Sequence, residues 1–170
     1  MKKKLTGSRT DALRDGDGSD PNLLWNFSGF LVRRLWQIHT AIFLEQTEGT
    51  RITPVQFSIL LILQNKKALD QGSLASEIGI DRSNAADILN RMERSKLIKR
   101  NRGVHDRRAM IVSLTAKGNT LLEKLDARVL QSHARLVEAL PREQRPIFIQ
   151  MLQCVVAAKN DLGRAPLKLR

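Results

Sequence analysis

The sequence predicts a mainly α-helical protein with a small β-hairpin, and two kinds of pattern carry this expectation. Apolar residues recur every three or four positions through most of the chain, and this spacing places them on one face of an α-helix. Two short segments, residues 97–100 and 109–114, have instead the composition of strands. The turn-rich residues 101–108 separate them. We therefore expect long helices around a single hairpin.

The composition bounds the class of protein. With 170 residues, of which 42% are hydrophobic, the chain is long enough for one domain with a substantial core. The net charge of +12 favours an anionic partner, most simply nucleic acid or a membrane surface. A single cysteine excludes an intrachain disulfide and a metal site built from several cysteines. Because no membrane span or secretory signal is evident, we expect a cytoplasmic protein. We also expect no metal and no cofactor.

The first part of the chain predicts an arm followed by a long helix. Residues 1–20 are mostly charged or small and polar, so we expect a mobile arm. Asp20 can cap a helix and Pro21 fits its first turn, and the helix should run to about residue 49. Its apolar residues form one stripe and a second set beside it: Leu24, Phe27, Leu31, Leu35, Ile38 and Ile42, then Leu23, Phe30, Trp36 and Phe43. A helix that is apolar on two sides has to bury both, so we expect residues 21–49 to contact a second subunit.

The next helix should begin at a capping box. The Thr53 side chain can accept from the backbone of Gln56, the Gln56 side chain can accept in return, and Pro54 suits the first turn. The residues expected on its buried side are Phe57, Leu60, Leu61 and Leu63.

Two short helices joined by a tight turn follow. Leu74 and Ala75 face inward on the first helix, and Gly79 supplies the turn. Either Asp81 or Ser83 caps the second helix, whose buried stripe is Ala85, Ile88, Leu89 and Met92. Its opposite face carries hydrogen-bonding side chains, namely Ser83, Asn84, Asp87, Asn90, Arg91 and Arg94. Such a face suits base edges and phosphates in a major groove, although an ordinary solvated helix has a similar composition.

The hairpin and its charge decide between these two interpretations. Ten basic and three acidic residues lie between Arg82 and Lys117, so +7 of the net charge of +12 falls in about a fifth of the chain. A membrane surface fits less well, because no helix pairs a basic face with an exposed apolar face bearing Trp or Phe. We therefore interpret residues 50–118 as a winged helix-turn-helix that binds double-stranded DNA. The candidate DNA-binding residues are Arg82, Ser83, Asn84, Asp87, Arg91, Arg94, Arg102, Asp106, Arg107 and Arg108.

Two further helices are expected after the hairpin. Thr115 caps the first, which should run from Ala116 almost to Leu140. Pro141 begins the second, where Pro146 predicts a kink or a delayed start because its ring removes one backbone hydrogen bond. The apolar residues of the last helix are Ile147, Phe148, Met151, Leu152, Val155 and Val156.

With these elements in order, residues 22 to about 160 resemble the MarR family of bacterial transcriptional regulators. The resemblance is most specific in the wing, where a D-x-R motif stands as Asp106-Arg107-Arg108. An L-T-x-x-G motif follows as Leu114-Thr115-Ala116-Lys117-Gly118. The resemblance implies a recognition helix in the major groove and Arg108 in the flanking minor groove, oriented by Asp106. A narrow minor groove has an enhanced negative potential that attracts an inserted arginine.

The resemblance also implies a homodimer joined through its terminal helices. Residues 21–49 and 119–162 are then expected to pair two copies, and residues 163–170 form a tail. The expected function is that of a repressor that a small effector releases from a pseudo-palindromic operator. Activation of transcription by the same fold is an alternative.

Aromatic and cationic side chains of the first two helices are the candidates for an effector site. They are Trp36, His39, Phe43 and Phe57, with Arg33 and Arg34 nearby. Aromatic walls with a cation suit an aromatic carboxylate or its coenzyme A thioester. The same residues are also typical of an ordinary core with solvated arginines.

Three other functions fit less well. A redox-sensing repressor would use Cys154, but this residue lies in an apolar run without a neighbouring cation, so we expect a buried and inert thiol. An enzyme would have to use His105 and Asp106, which have no nucleophile, metal cluster or phosphate loop at a usable spacing. An architectural binder needs only cations and wedges, whereas the polar face around Asn84 favours the reading of bases.

Overall fold

The computed structural model describes residues 23–103 and 106–167, and this part of the chain is mainly helical with one small sheet. Its helices and strands are α1 Ser28–Gln46, α2 Pro54–Lys66, β1 Ala68–Asp70, α3 Gln71–Ile78, α4 Arg82–Arg94, β2 Ile98–Arg102, β3 Met110–Leu114, α5 Ala116–Leu136 and α6 Gln144–Lys159. The fold class that the sequence predicted is therefore confirmed. The expected arm at residues 1–20 and the cap at Asp20 and Pro21 lie outside the described residues.

The chain divides into two compact units, one up to Gln37 and one from Ile38 onward. In the first unit, a 3-10 turn at Leu23–Asn26 precedes α1. The prediction of one unbroken helix across these residues is therefore wrong at its start. Much of the apolar surface of this unit is exposed in the single chain, at Leu24, Trp25, Phe27, Leu31, Val32 and Trp36.

The second unit is built around one hydrophobic core. Leu60 from α2, Met92 from α4, Val112 from β3 and Leu125 from α5 are fully buried in it. Burial stabilises each such side chain by roughly 1.5–3 kcal/mol relative to exposure. The core therefore holds the helix-turn-helix, the sheet and α5 together as one body.

The helix caps lie where the sequence placed them. Thr53 Oγ1 accepts from the Gln56 backbone N–H at 3.3 Å, and Gln56 Oε1 accepts from the Thr53 N–H at 3.0 Å, which completes the capping box. Of the two candidates for the cap of α4, Asp81 is the one that caps it. Gly79 ends α3 in the left-handed region, with φ +72°, as a tight turn requires.

The burial pattern of α2 differs from the prediction at one position. Leu61 is 46% exposed, whereas Ile59 is buried. All five residues from Ile59 to Leu63 are apolar, so the spacing alone could not show which of them face the core.

The small sheet contains one strand that the sequence did not predict. Its order is β1-β3-β2, with both pairs antiparallel, so β3 lies in the centre. Leu69 of β1 and Arg100 of β2 both lie opposite Val112 of β3. Because β1 has only three residues, it is too short to display an alternating pattern.

The C-terminal helices are shorter than expected. Helix α5 ends at Leu136 rather than near Leu140, and α6 begins at Gln144, so the delayed start predicted from Pro146 is confirmed. The Arg145 side chain donates from Nε to the carbonyl oxygen of Leu140 at 3.0 Å. This hydrogen bond holds the turn between the two helices.

Helix α6 has no buried residue in the single chain. Its large exposed apolar side chains are Ile147, Ile149, Met151, Val155 and Val156. Cys154 is exposed as well, so the expectation of a buried thiol is wrong for the single chain. The apolar sequence around this cysteine reflects an uncovered face and not burial in the core.

The start of α5 is tied closely to the end of α4. Thr115 Oγ1 donates to the carbonyl oxygen of Lys96 at 2.6 Å and accepts from the Gly118 N–H at 3.1 Å. A Cβ added at Gly118 would lie 2.1 Å from the carbonyl oxygen of Leu97. Glycine is required here because the backbone of Leu97 fills the space of a side chain.

We predict that Gly118→Ala lowers the free energy of unfolding by about 1–3 kcal/mol, because the added methyl group must displace the backbone of Leu97. Urea denaturation of the full chain measures this change. Gly29→Ala is the matched control, since a Cβ there meets nothing within 4 Å and alanine favours a helix. Equal effects of the two substitutions would contradict the close approach of α5 to Leu97.

Candidate nucleic-acid interface

The first turn of α4 is organised by the side chain of Asp81. Its Oδ1 accepts from the Asn84 backbone N–H at 2.9 Å and from the Ser83 hydroxyl at 2.6 Å. Its Oδ2 accepts from the Asn84 side-chain amide at 2.6 Å. The backbone hydrogen bond from Asn84, followed by that from Ser83, holds the pKa of Asp81 below its ordinary value. The charged cap thus fixes two of the predicted DNA-binding side chains at the helix N-terminus.

The outer face of α4 carries every DNA-binding residue that the sequence predicted for this helix. The inner face is buried through Ala85, Leu89 and Met92. The exposed residues are Arg82, Ser83, Asn84, Asp87, Arg91 and Arg94. Because the buried stripe fixes the rotation of the helix on the core, these side chains share the solvent face.

Asn90, which the sequence also placed on the polar face of α4, contacts the sheet. Asn90 Oδ1 accepts from Arg100 Nη2 at 2.7 Å, and Glu93 Oε2 accepts from Arg100 Nε at 2.9 Å. The hydrogen bond with Arg100 is the main reason why the pKa of Glu93 lies below its ordinary value. Asn90 and Arg100 therefore tie α4 to β2, and the positive charge of Arg100 is matched by Glu93.

Backbone hydrogen bonds join the described residues on either side of the hairpin tip. The Gly103 N–H donates to the Ala109 carbonyl at 2.8 Å, and the Ala109 N–H donates to the Asp106 carbonyl at 3.1 Å. Asp106 Oδ1 accepts from the backbone N–H of Arg108 at 2.8 Å. The aspartate thus orients the backbone of Arg108. The predicted wing residues Arg102, Asp106, Arg107 and Arg108 are all exposed.

A cleft of about 330 Å³ brings the wing and the helix-turn-helix together. Arg82 at the start of α4 and Arg108 on the wing line it, with Asp70 and Gly72 at the start of α3. Asp70 Oδ1 accepts from the Ser73 N–H at 2.9 Å and caps α3. This part of the surface was not predicted from the sequence, although aspartate is a favoured residue at a helix N-cap.

The aromatic residues predicted for an effector site lie in different surroundings. Phe43 and Phe57 are buried, and their ring centroids lie 6.1 Å apart in the core of the second unit. His39 stacks on His133 of α5 with ring centroids 5.8 Å apart. Burial, and then the charge of His133, lower the pKa of His39. His133 was not predicted, because nothing local in the sequence links it to a residue on α1.

The remaining effector candidates belong to the first unit. The guanidinium of Arg33 lies 5.3 Å from the ring centroid of Phe30, a distance typical of a cation–π contact. Arg34 donates to the side chain of Gln37 at 2.9 Å. Trp36 is 55% exposed. Their assignment to a ligand stays a prediction.

In residues 23–103 and 106–167, no group of three or more His, Cys, Asp or Glu side chains is placed to hold a metal ion. Within the same described ranges, no helix is both long and apolar enough to cross a membrane.

Comparison of the sequence with known proteins identifies its relatives. A model of the MarR family matches residues 52–110. The HTH-type transcriptional repressor NicR of Pseudomonas putida is 27% identical over 135 residues, which cover 79% of this chain and 85% of NicR. The HTH-type transcriptional regulator FarR of Neisseria gonorrhoeae is 30% identical over 112 residues, which cover 66% of this chain and 77% of FarR.

Solved structures lead to the same family. The transcriptional repressor CouR bound to a 23-mer DNA duplex superposes with a TM-score of 0.73 at 32% identity, covering 78% of this chain and 94% of CouR. CouR bound to p-coumaroyl-CoA superposes with a TM-score of 0.71 at 30% identity, with the same coverage. The family match, the level of identity and the shared fold agree, and the chain belongs to the MarR family of transcriptional regulators and is not an enzyme.

Proposed function

We propose that the chain is a dimeric repressor that binds a pseudo-palindromic DNA site and is released by a small aromatic effector. The observation that carries the proposal is the exposed polar and cationic face of α4 beside the wing arginine Arg108. In a dimer, two copies of α4 would occupy successive major grooves about 10 bp apart. The names of two relatives agree with this function, since NicR is a repressor and CouR has been solved on a DNA duplex.

The two parts of the surface have different tasks in this proposal. Asn84 and Arg91 on α4 offer donors and acceptors of the kind that read base edges. Arg108 inserts its guanidinium into the flanking minor groove, where the negative potential is enhanced. The other cations of the wing, Arg102 and Arg107, contact phosphates and add affinity that does not depend on sequence.

Dimerisation is supported by the apolar surface that the single chain leaves uncovered. Helix α6 exposes five large apolar side chains and buries no residue. Exposed apolar patches of this kind on a soluble protein mark interaction sites. A second copy of the chain is the partner that brings two identical α4 helices to a two-fold symmetric DNA site.

The effector is proposed to be an aromatic carboxylate or its coenzyme A thioester. CouR has been solved with p-coumaroyl-CoA, which supports this class. In this chain, His39 stacks on His133 with ring centroids 5.8 Å apart, and burial lowers the pKa of His39, which favours its uncharged form. The effector releases DNA only through a difference in its affinity for two arrangements of the dimer.

We predict that Arg108→Ala weakens binding to the operator by about 1–3 kcal/mol and reduces the salt slope by about one unit, because one cation leaves the DNA. Fluorescence anisotropy across a salt series, with the DNA upstream of the gene, measures both. Arg128→Ala, an exposed arginine on α5, is the control. Unchanged affinity of Arg108→Ala would contradict the wing assignment.

Asn84→Ala should instead reduce the preference for the operator over unrelated DNA.

The dimer is tested on α6. Val155 is 64% exposed, so Val155→Glu should leave the fold of the chain intact while placing a charge in the apolar interface. We expect the dimer to dissociate at least tenfold more readily in sedimentation equilibrium, equivalent to about 1.4 kcal/mol. Gln150→Glu introduces the same charge at an exposed polar position of the same helix. Dimers of equal strength in both variants would exclude α6 from the interface.

The effector class is tested by a thermal-shift screen of aromatic acids and their coenzyme A esters. An effector at 100 times its dissociation constant should stabilise the protein by about 2.7 kcal/mol. The same compound should release the DNA upstream of the gene. Arg33→Gln removes one proposed cation, and Lys159→Gln is its control at the end of α6. Equal responses of these two variants would exclude Arg33 from the site.

A further inference from the structure

A second cleft lies on the side of α4 where the helix ends. It has a volume of about 550 Å³ and is bounded by the loop before α2, the end of α4 and the first turns of α5. Three cationic side chains line it, namely Arg51, Lys117 and Lys124. Among the described residues that line this cleft, none is acidic. The cleft therefore concentrates positive charge without a neutralising carboxylate.

The cleft combines this charge with apolar walls. Ile52 and Leu97 line it and are almost fully buried, and Leu121 is half-buried beside them. A cleft with several cations and an apolar wall is complementary to a molecule that has an anionic head and an apolar body. Arg51 is also held in the left-handed backbone region, with φ +56°, which is uncommon for a residue with a side chain.

One cation of the cleft holds the end of the recognition helix. Lys117 Nζ donates to the carbonyl oxygen of Ser95 at 2.9 Å. Ser95 is the C-terminal cap of α4, where the carbonyl groups at the helix end carry partial negative charge. The ammonium of Lys117 thus stabilises the last turn of α4 from inside the cleft.

We propose that this cleft binds a small molecule with a carboxylate or phosphate-ester head on an apolar body. The anionic head lies among Arg51, Lys117 and Lys124, and the apolar body lies on Ile52 and Leu97. The site is separate from the aromatic residues proposed above, because none of those residues lines the cleft.

The bound anion competes with the Ser95 carbonyl for the ammonium of Lys117. The end of α4 then loses one charge-assisted hydrogen bond, and its last turn loosens relative to α5. This regulatory step rests on the proposed function, since it acts through the affinity of α4 for DNA. The binding step does not depend on the proposed function.

Binding is tested by isothermal titration of the full chain with phenyl phosphate, benzoate and neutral benzyl alcohol. We expect phenyl phosphate to bind more tightly than benzoate, and benzyl alcohol not to bind, because the cleft has three cations. A carboxylate source and a phosphate source are thereby distinguished. Lys117→Met and Lys124→Gln should each weaken phenyl phosphate about tenfold, the loss expected for one charged hydrogen bond.

Two controls separate this cleft from other cationic positions. Arg128→Gln removes a cation one turn beyond Lys124 on α5 and should bind phenyl phosphate like the unchanged protein. The proposal is overturned if Lys117→Met and Arg128→Gln bind phenyl phosphate equally well. It is also overturned if binding still fails to saturate when the phenyl phosphate concentration exceeds about 1 mM. Binding that is lost in Arg33→Gln and kept in Lys117→Met also overturns it, since the probe then occupies the aromatic site.

The regulatory step is tested by DNA affinity with and without phenyl phosphate. The unchanged protein should bind the DNA upstream of the gene more weakly in the presence of the probe, and Lys117→Met should not respond. A protein that binds the probe but no DNA contradicts the proposed function and leaves the cleft as a binding site. A protein that binds both without mutual effect overturns the regulatory step.

Discussion

The close approach of α5 to the end of α4 is the constraint on which the rest of the second unit depends. Gly118 lies against the carbonyl oxygen of Leu97, and Thr115 Oγ1 donates to the carbonyl oxygen of the preceding residue, Lys96. On the other side of α4, Leu89 and Met92 are buried in the core. Because the face of α4 is buried and the residues after it are joined to α5, a rigid-body displacement of the whole helix must be shared by α5.

Hydrogen bonds within the second unit distinguish the basic residues that are held by the protein from those that are exposed. The sequence places ten cations between Arg82 and Lys117, but they are not equivalent in the structure. Arg100 is held by Glu93 and Asn90 and ties α4 to β2, whereas Lys117 donates to the carbonyl oxygen of Ser95 at the end of α4. The arginines of α4 and of the hairpin tip are exposed instead. A charge count therefore identifies the DNA-binding segment but overstates the number of residues available to phosphates.

Features that depend on a few consecutive residues were predictable from the sequence, whereas features that depend on distant partners were not. The caps at Thr53 and Asp81 were predictable because a cap is written in about four consecutive residues. The strand at β1 and the stacking of His39 on His133 were not, because each depends on a partner many residues away. The exposure of Cys154 was missed for a related reason, since an apolar sequence looks the same whether the chain or a second copy covers it.

A small molecule can regulate the DNA affinity of such a protein only through a part of the structure that differs between two states. A ligand changes DNA affinity only by binding one arrangement more tightly than another, and coupling between sites is typically about 1–3 kcal/mol. The face of α4 around Met92 is fully buried, and a close-packed core resists rearrangement. The end of α4 is held differently, because the hydrogen bond from Lys117 to the Ser95 carbonyl is exposed. In the proposal made above, an anion takes the place of that carbonyl. We therefore propose that an anion bound beside Lys117 acts at the border between α4 and α5, and not through the core that holds the orientation of α4.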